Sequence, residues 1–392
     1  MMRHLRITHC CLLLLILPFS LLAGIKIKRG PYLQKQGAEE VTVIWTTNAP
    51  AMSWVEIAPD DGSHFYAQER PRYYQKKYGK KEIGTEHAVR IDGLKPGTAY
   101  RYRIYSKEVV TNKNVQILFG EVAANDILKN KPFRFTTLDP EKTTVRFTMV
   151  NDIHANDSLF RDLTKDVIKE KQDFVVFNGD MLSDMRSEDQ LFDGFLHSAS
   201  NLFATNIPFF YVRGNHELRG TFSHEFMRYF PTSTGMPYYT FRHGPAFFIV
   251  LDGGEDKTDK DIRYYGMADF DEYRREEAAW LKEVVTGEDF KSAPYKIVLM
   301  HMPPAHNEKG WHGVNELRKH FLPILNEADI DLMLSGHDHR LSVLEPNTGG
   351  FKFPVLINSN QYKVNLIIEQ NKMSAEIVDR TGKNIKSLHF DK

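Results

Sequence analysis

Five short segments, far apart in the chain, carry side chains suited to holding metal ions. They are Asn151-Asp152-Ile153-His154, Asn178-Gly179-Asp180, Gly214-Asn215-His216-Glu217, His301, and Gly336-His337-Asp338-His339. Carboxylates, imidazoles and a carboxamide offer oxygen and nitrogen donors, the set that suits manganese, iron or zinc. Any one fragment alone is weak, because the chain has 16 histidines and most will be surface or satisfied core residues. The ordered set of five is a stronger signal, since every segment follows an apolar run.

Those runs must position the donors. "VRFTMV" leads to Asp152 and His154, "DFVVF" to Asp180, "FFYV" to Asn215, "KIVLM" to His301 and "LMLS" to His337 and His339. Each reads as a buried strand, and open α/β sheets place their sites at the carboxyl ends of strands. Glycines before Asp180, Asn215 and His337 permit a sharp exit and close backbone approach. Helical stretches alternate with the strands: "SLFRDLTKDVIKEK", "SEDQLFDGFLHSASNLF", "DEYRREEAAWLKEVV" and "GVNELRKHFLPILNEA". In the last, Leu317, Phe321 and Leu325 recur at helical spacing. The layout from Val145 onward is α/β with a two-sided core. The tail from Leu341 returns to strands, as in "FPVLINS" and "VNLIIEQ".

Residues 25–138 read differently, as an all-β unit. "VTVIWTT" alternates, with Val41, Val43 and Trp45 on one face and Thr42, Ile44 and Thr46 on the other. "YRYRIYS" does the same. A "LKPGT" turn leading to Tyr100 resembles the corner of a fibronectin type III sandwich, where a tyrosine ties the turn back to its strand. Two stretches exceed a minimal sandwich. The basic, tyrosine-rich Glu69–Lys81 is either an anion-binding strip or a solvated edge strand guarded by lysines. Residues 114–130 read as an insertion. A turn-rich linker, "TTLDPEKTT", separates the two halves, so the expected division is 25–138 and 139–392.

The 392 residues carry 51 basic and 51 acidic side chains, and this zero net charge argues against a general affinity for nucleic acid or anionic surfaces. It favours the edge-strand reading of residues 69–81. Residues 1–24 read as an export signal, with Arg3, His4 and Arg6 before an apolar run from Cys11 to Ala23. The run falls short of the about 20 residues a spanning helix needs. The expectation is a secreted or periplasmic protein with no membrane span in the mature chain. Cys10 and Cys11 are the only cysteines, so the mature chain has no thiol ligand.

The order Asp-x-His, Gly-Asp, Gly-Asn-His-Glu, His, Gly-His-x-His resembles the calcineurin-like metallophosphoesterase superfamily. The β unit beginning near "GPYLQ" is similar to the N-terminal module of purple acid phosphatase relatives. The resemblance implies a fibronectin type III-like sandwich followed by an α/β domain, in which a β-sandwich flanked by helices carries two divalent metal ions. It assigns Asp152, His154, Asp180 and His339 to one metal, and Asp180, Asn215, His301 and His337 to the other, with Asp180 bridging. His216 would assist the leaving group while hydroxide held between the ions attacks a small phosphate ester. Asn215, His216 and Arg213 are the candidate substrate contacts.

The sequence departs from the purple branch at one place. Purple acid phosphatases put an iron-binding tyrosine three residues after the bridging aspartate, where this chain has Ser183. A non-purple enzyme is therefore expected. Asp184 is the candidate to orient His216, alongside Ser183. Arg213 is equally readable as a salt-bridge partner, His306 and His312 as pocket residues or a solvated loop, Asn178 as support for the ligands, and Trp280 and Leu281 as core. The competing function is a non-catalytic cell-surface binding module with a structural or vestigial metal site.

Overall fold

A computed structural model describes residues 24–125, 131–304 and 310–390. The expected export signal lies outside these residues except for Gly24, as do His306 and the last five residues of the expected insertion.

The N-terminal half is one hydrogen-bonded sheet of seven strands. Its organiser is the 19-residue strand Val41–Pro59. Residues 41–46 pair with Gly84–Ile91 and with Ile27–Gln34, whereas residues 51–59 pair with Ala99–Lys113. The register slips between Thr46 and Ala51, and there the strand passes from one layer to the other. The two layers enclose a core of Val41, Val43, Trp45, Val55, Ile57, Val89, Ile104 and Phe135. The expected alternation holds, but both faces are buried. Ile44 on the opposite face packs with Tyr32 into a second cluster that contains Phe177, Phe192 and Phe209. The two halves therefore share a hydrophobic interface, clamped by Tyr32 Oη donating to Tyr229 O at 3.0 Å and Tyr102 Oη to Thr205 O at 2.8 Å.

Tyr100 closes its corner as expected, accepting a hydrogen bond from Lys95 N at 3.0 Å. The basic stretch forms a short edge strand, Arg72–Tyr74, on residues 54–56, followed by a tight Lys76–Lys77/Lys80–Lys81 ladder. The stretch after Asn114 becomes the strand Gln116–Ala124, which folds back on Ala99–Lys113 as a hairpin at the sheet edge.

The second half stacks two six-stranded sheets face to face. In one, Thr144–Val150, Phe174–Asn178 and Phe209–Val212 run parallel; in the other, Ala246–Leu251, Tyr295–Met300 and Leu332–Ser335 do. Phe147, Met149, Phe174 and Val176 from the first meet Phe248, Val250, Ile297 and Leu334 from the second. Helical segments cover the outer face of the first sheet, while Phe270–Thr286 and His312–His320 cover the second. The strands are apolar on both sides because both sides are packed. The tail supplies antiparallel strands, with Tyr362–Glu369 on the flank of Thr144–Val150.

Two helical expectations shorten. The first helix stops at Thr164, and residues 165–171 follow as turns. The stretch after Gly313 splits into His312–His320 and Leu322–Asn326. Pro323 lacks an N–H and crowds the preceding turn, so it starts a new helix instead of continuing the old one. Leu317, Phe321 and Leu325 are nonetheless all fully buried, as their spacing required.

Candidate metal centre

The carboxyl ends of five parallel strands, three from one sheet and two from the other, bring the donors together. Asp152, His154 and His339 form one group, and Asp180, His301 and His337 another, each with its donor atoms within 4.8 Å of one another. His339 Nε2 is 3.0 Å from Asp152 Oδ1 and 3.3 Å from His154 Nε2. In the second group His301 Nε2 is 3.1 Å from Asp180 Oδ2. The groups abut, with His301 Nε2 only 3.9 Å from Asp152 Oδ1.

These atoms fit a pair of ions better than they fit each other. Asp152 Oδ1 is buried and accepts no well-aligned hydrogen bond although His339 stands beside it. Two atoms that each approach one ion at about 2.1 Å lie roughly 3 Å apart, facing the ion and not one another. Asn215 Oδ1 is likewise buried without a donor. An orphaned buried acceptor costs free energy unless something absent from the protein's own atoms satisfies it.

Backbone strain concentrates at the same place. Asp152, His154, Asp180, His337 and His339 all have positive φ, between 49° and 70°. Each such residue costs of order 1 kcal/mol or more, and such residues persist where the surroundings enforce them. Glycine makes the approach possible. A Cβ on Gly214 would fall 2.2 Å from Asp180 Oδ1, and one on Gly179 would fall 2.4 Å from the His301 ring.

A second layer of groups fixes the donors. His301 Nδ1 donates to Asn178 O at 2.7 Å, which turns Nε2 into the site. Asn178 thus helps through its main chain, while its side chain donates to Leu334 O across the two sheets at 3.1 Å. Asp152 Oδ2 accepts from Asn151 Nδ2 at 2.7 Å and from His337 N at 3.0 Å. Asn358 in turn donates to Asn151 Oδ1 at 2.7 Å. The role of Glu217 was not legible in the sequence. Its fully buried carboxylate accepts from Asp180 N and Gly214 N, both at 2.9 Å, from Leu182 N and from Tyr211 Oη. It therefore ties the Asp180 turn to the Asn215 turn.

The electrostatics suit cation binding. Burial alone would lower the His301 imidazole, yet the Asp180 and Asp152 carboxylates beside it hold it up at about 10. Burial pushes His337 down to about 4, helped by the His301 charge. Burial would raise the Asp180 carboxyl, but His301 keeps it well below the usual carboxylate range. Between the two carboxylates a proton on His301 plays the part of a cation.

His216 sits at the rim, its Nε2 3.8 Å from Asp180 Oδ2. Its Nδ1 donates to the main-chain oxygen of Ser183 at 2.7 Å. Arg219, another residue missed in the sequence, donates to His216 Nε2 at 2.9 Å and is itself held by Glu255 at 2.7 Å. Its spacing of three from His216 within one helical turn was the available signal.

Two expectations are corrected. Asp184 does not reach His216: its carboxylate accepts from Arg186 Nε at 2.8 Å and Gln190 Nε2 at 3.0 Å. Arg213 does not face the donors: its Nε donates to the buried Asp252 at 2.9 Å, and its guanidinium lies against Phe226 and Tyr273. An arginine with a buried carboxylate for a partner is not free for substrate. His312 pairs with Asp271 at 2.9 Å, Trp280 packs on Tyr238, and Leu281 is core. Ser183 backs His154, with Oγ 3.4 Å from its Nδ1.

Residues 145–341 match the calcineurin-like phosphoesterase family, half of the whole chain. The chain belongs to the calcineurin-like phosphoesterase family. Residues 30–117 match the purple acid phosphatase N-terminal domain. The chain is 26% identical over 301 residues to purple acid phosphatase 21 of Arabidopsis thaliana, an overlap of 70% of this chain and 59% of that relative. It thus spans less than two thirds of that relative's length. The structure superimposes on purple acid phosphatase PPD1 from yellow lupin (Lupinus luteus) seeds with a TM-score of 0.65 at 14% identity, covering 92% of this chain and 74% of the other. That likeness establishes the order of a β-rich N-terminal unit and a phosphoesterase-type α/β unit. Within this family member, the two donor groups are its candidate metal sites.

Proposed function

We propose that this calcineurin-like phosphoesterase hydrolyses small phosphate esters with two divalent ions bound by its strand-end residues. Asp152, His154 and His339 would hold one ion, His301, His337 and Asn215 the other, with Asp180 available to both. The supporting observation is the abutment of the two donor groups, with the orphaned Asn215 oxygen and the strained donor backbone alongside. Bound ions supply Lewis acidity toward phosphoryl oxygens and activate a water. The chain's own contribution is placement. Asn178 O, Asn151 and Glu217 fix the donors before substrate arrives. His216, with Nδ1–H committed to Ser183 O, presents Nε2 to the departing oxygen; once Nε2 has taken up a proton from solvent, the imidazolium would pass it to, or hydrogen-bond, that oxygen. Arg219 must yield that nitrogen when substrate enters.

The division at residues 138/139, the fibronectin type III-like character of the first unit and export by residues 1–24 belong to the same reading. The Tyr100 corner supports the second of these. Among the described residues no helix is long and apolar enough to cross a membrane.

The test is hydrolysis of p-nitrophenyl phosphate by protein stripped with chelator and reloaded with manganese, iron or zinc. Activity should vanish on stripping and return on loading, and Asp180→Asn should lose both bound metal and turnover. A protein that binds two ions per chain yet turns over no ester would instead be the non-catalytic module.

A further inference from the structure

The hairpin at the edge of the N-terminal sheet is apolar where it should be polar. Val115 in the turn is 98% exposed, and Leu118 58%, Val122 50% and Ile117 47% on the strand that ends the sheet. Edge strands are ordinarily protected by charge or cover, and contiguous exposed apolar surface marks a contact site. Cations stand on the same face. A groove beside the hairpin is lined by Lys80, Lys81 and Ile83 together with Val115, Ile117 and Phe119. Lys107 Nζ sits 4.6 Å above the Phe119 ring. Lys76 and Lys77 extend the patch, all four ladder lysines are exposed, and none makes an ion pair among the described residues. Glu108 and Glu121 are the acidic side chains beside Gly120 and Gly24 on the same ribbon.

The path of the chain adds an independent observation. Gly24 lies against this strand, so close that a Cβ there would fall 2.5 Å from Glu121 Oε2. The chain therefore enters the described part of the fold at the edge from which the hairpin projects.

We infer that the Val110–Val122 hairpin and the Lys76–Lys81 ladder form a docking surface for a lipid bilayer with anionic headgroups. The apolar tip enters the interface while the lysines meet phosphate, the two-signal arrangement that peripheral attachment needs. A protein of zero net charge gains this contact only through such a local concentration.

The test uses the full chain with Val115→Trp, mixed with vesicles of phosphatidylcholine alone or with one quarter phosphatidylglycerol, some carrying brominated acyl chains. Any binding by the N-terminal segment is common to all samples, and quenching beyond that of the four native tryptophans in the unsubstituted chain reports the hairpin. Quenching of at least about twofold is expected in the anionic vesicles and little in the neutral ones. It should fall as salt rises to about 0.5 M, where screening shortens to roughly 4 Å. Replacing Lys76, Lys77, Lys80 and Lys81 with Glu should abolish it, with unchanged thermal unfolding. Equal binding to both vesicle types without quenching would overturn the inference. So would a concentration-dependent dimer, dissociated by Leu118→Asp, in protein whose indole stays unquenched.

Discussion

The His216 ring is held by the main-chain oxygen of Ser183, 2.7 Å from Nδ1, and not by the carboxylate one residue further on. Asp184 points to Arg186 and Gln190 instead. Asp184→Asn should therefore leave kcat within about threefold, as a surface substitution away from the chemistry does. His216→Ala should lower kcat by about 100-fold or more, the usual worth of a proton-transfer group, with metal content unchanged. Equal damage from both variants would return the orienting role to Asp184.

Gly214 sets how closely two ligand turns approach. A methyl group there meets Asp180 Oδ1 at 2.2 Å and Glu217 Oε2 at 2.9 Å, and neither can move without breaking bonds to backbone N–H groups. Gly214→Ala should destabilise the fold by about 2–4 kcal/mol and lower the bound metal per chain. Glu217→Gln is milder in shape but places an amide N–H group against a pocket of donors. It too should lose stability, by about 1–3 kcal/mol, read by denaturant unfolding.

What the sequence disclosed and what it hid follow from distance along the chain. The donors were legible because each sits just after an apolar run, and period and composition mark such runs locally. Alternation also showed that Ile44 faces away from Val43 and Trp45. It could not show that this second face is buried too, since the covering residues Phe177 and Phe209 lie more than a hundred positions away. The role of Arg213, open between substrate contact and salt-bridge partner, and that of Asp184 were decided by partners outside the motifs. Both stand beside motif residues, but Arg213 is claimed by Asp252 and Asp184 by Arg186 and Gln190, and only the folded turns show which way each side chain faces. Glu217 stood inside a motif, and only the closed turns show the donors it accepts from.

Ser183 occupies the position from which a tyrosine would colour the centre, and its hydroxyl instead lies near His154 Nδ1. Iron-loaded protein should show no tyrosinate charge-transfer band in the visible spectrum. A purple preparation would mean that another tyrosine reaches the ions, against an arrangement in which the nearby Tyr211 is fully committed to Glu217.

Metal uptake should release protons. In the metal-free protein His301 holds its proton up to about 10, because Asp180 and Asp152 outweigh the cost of burial. A ligand nitrogen must be bare, so at pH 7 each ion that recruits His301 expels that proton, and affinity rises about tenfold per pH unit for each proton expelled. Calorimetric titration with zinc in buffers of different ionisation enthalpy should count at least one proton released at pH 7. A count of zero would mean that His301 is not a ligand. The stability of the metal-free protein follows with a definite sign. A raised histidine stabilises fully below its unfolded value of 6.5, and that contribution disappears as pH climbs through about 10. Above about 10 His301 loses its proton, and Asp152 and Asp180 then face each other with no cation between them. The midpoint of thermal unfolding should fall between pH 7 and 10 without metal and change far less with it.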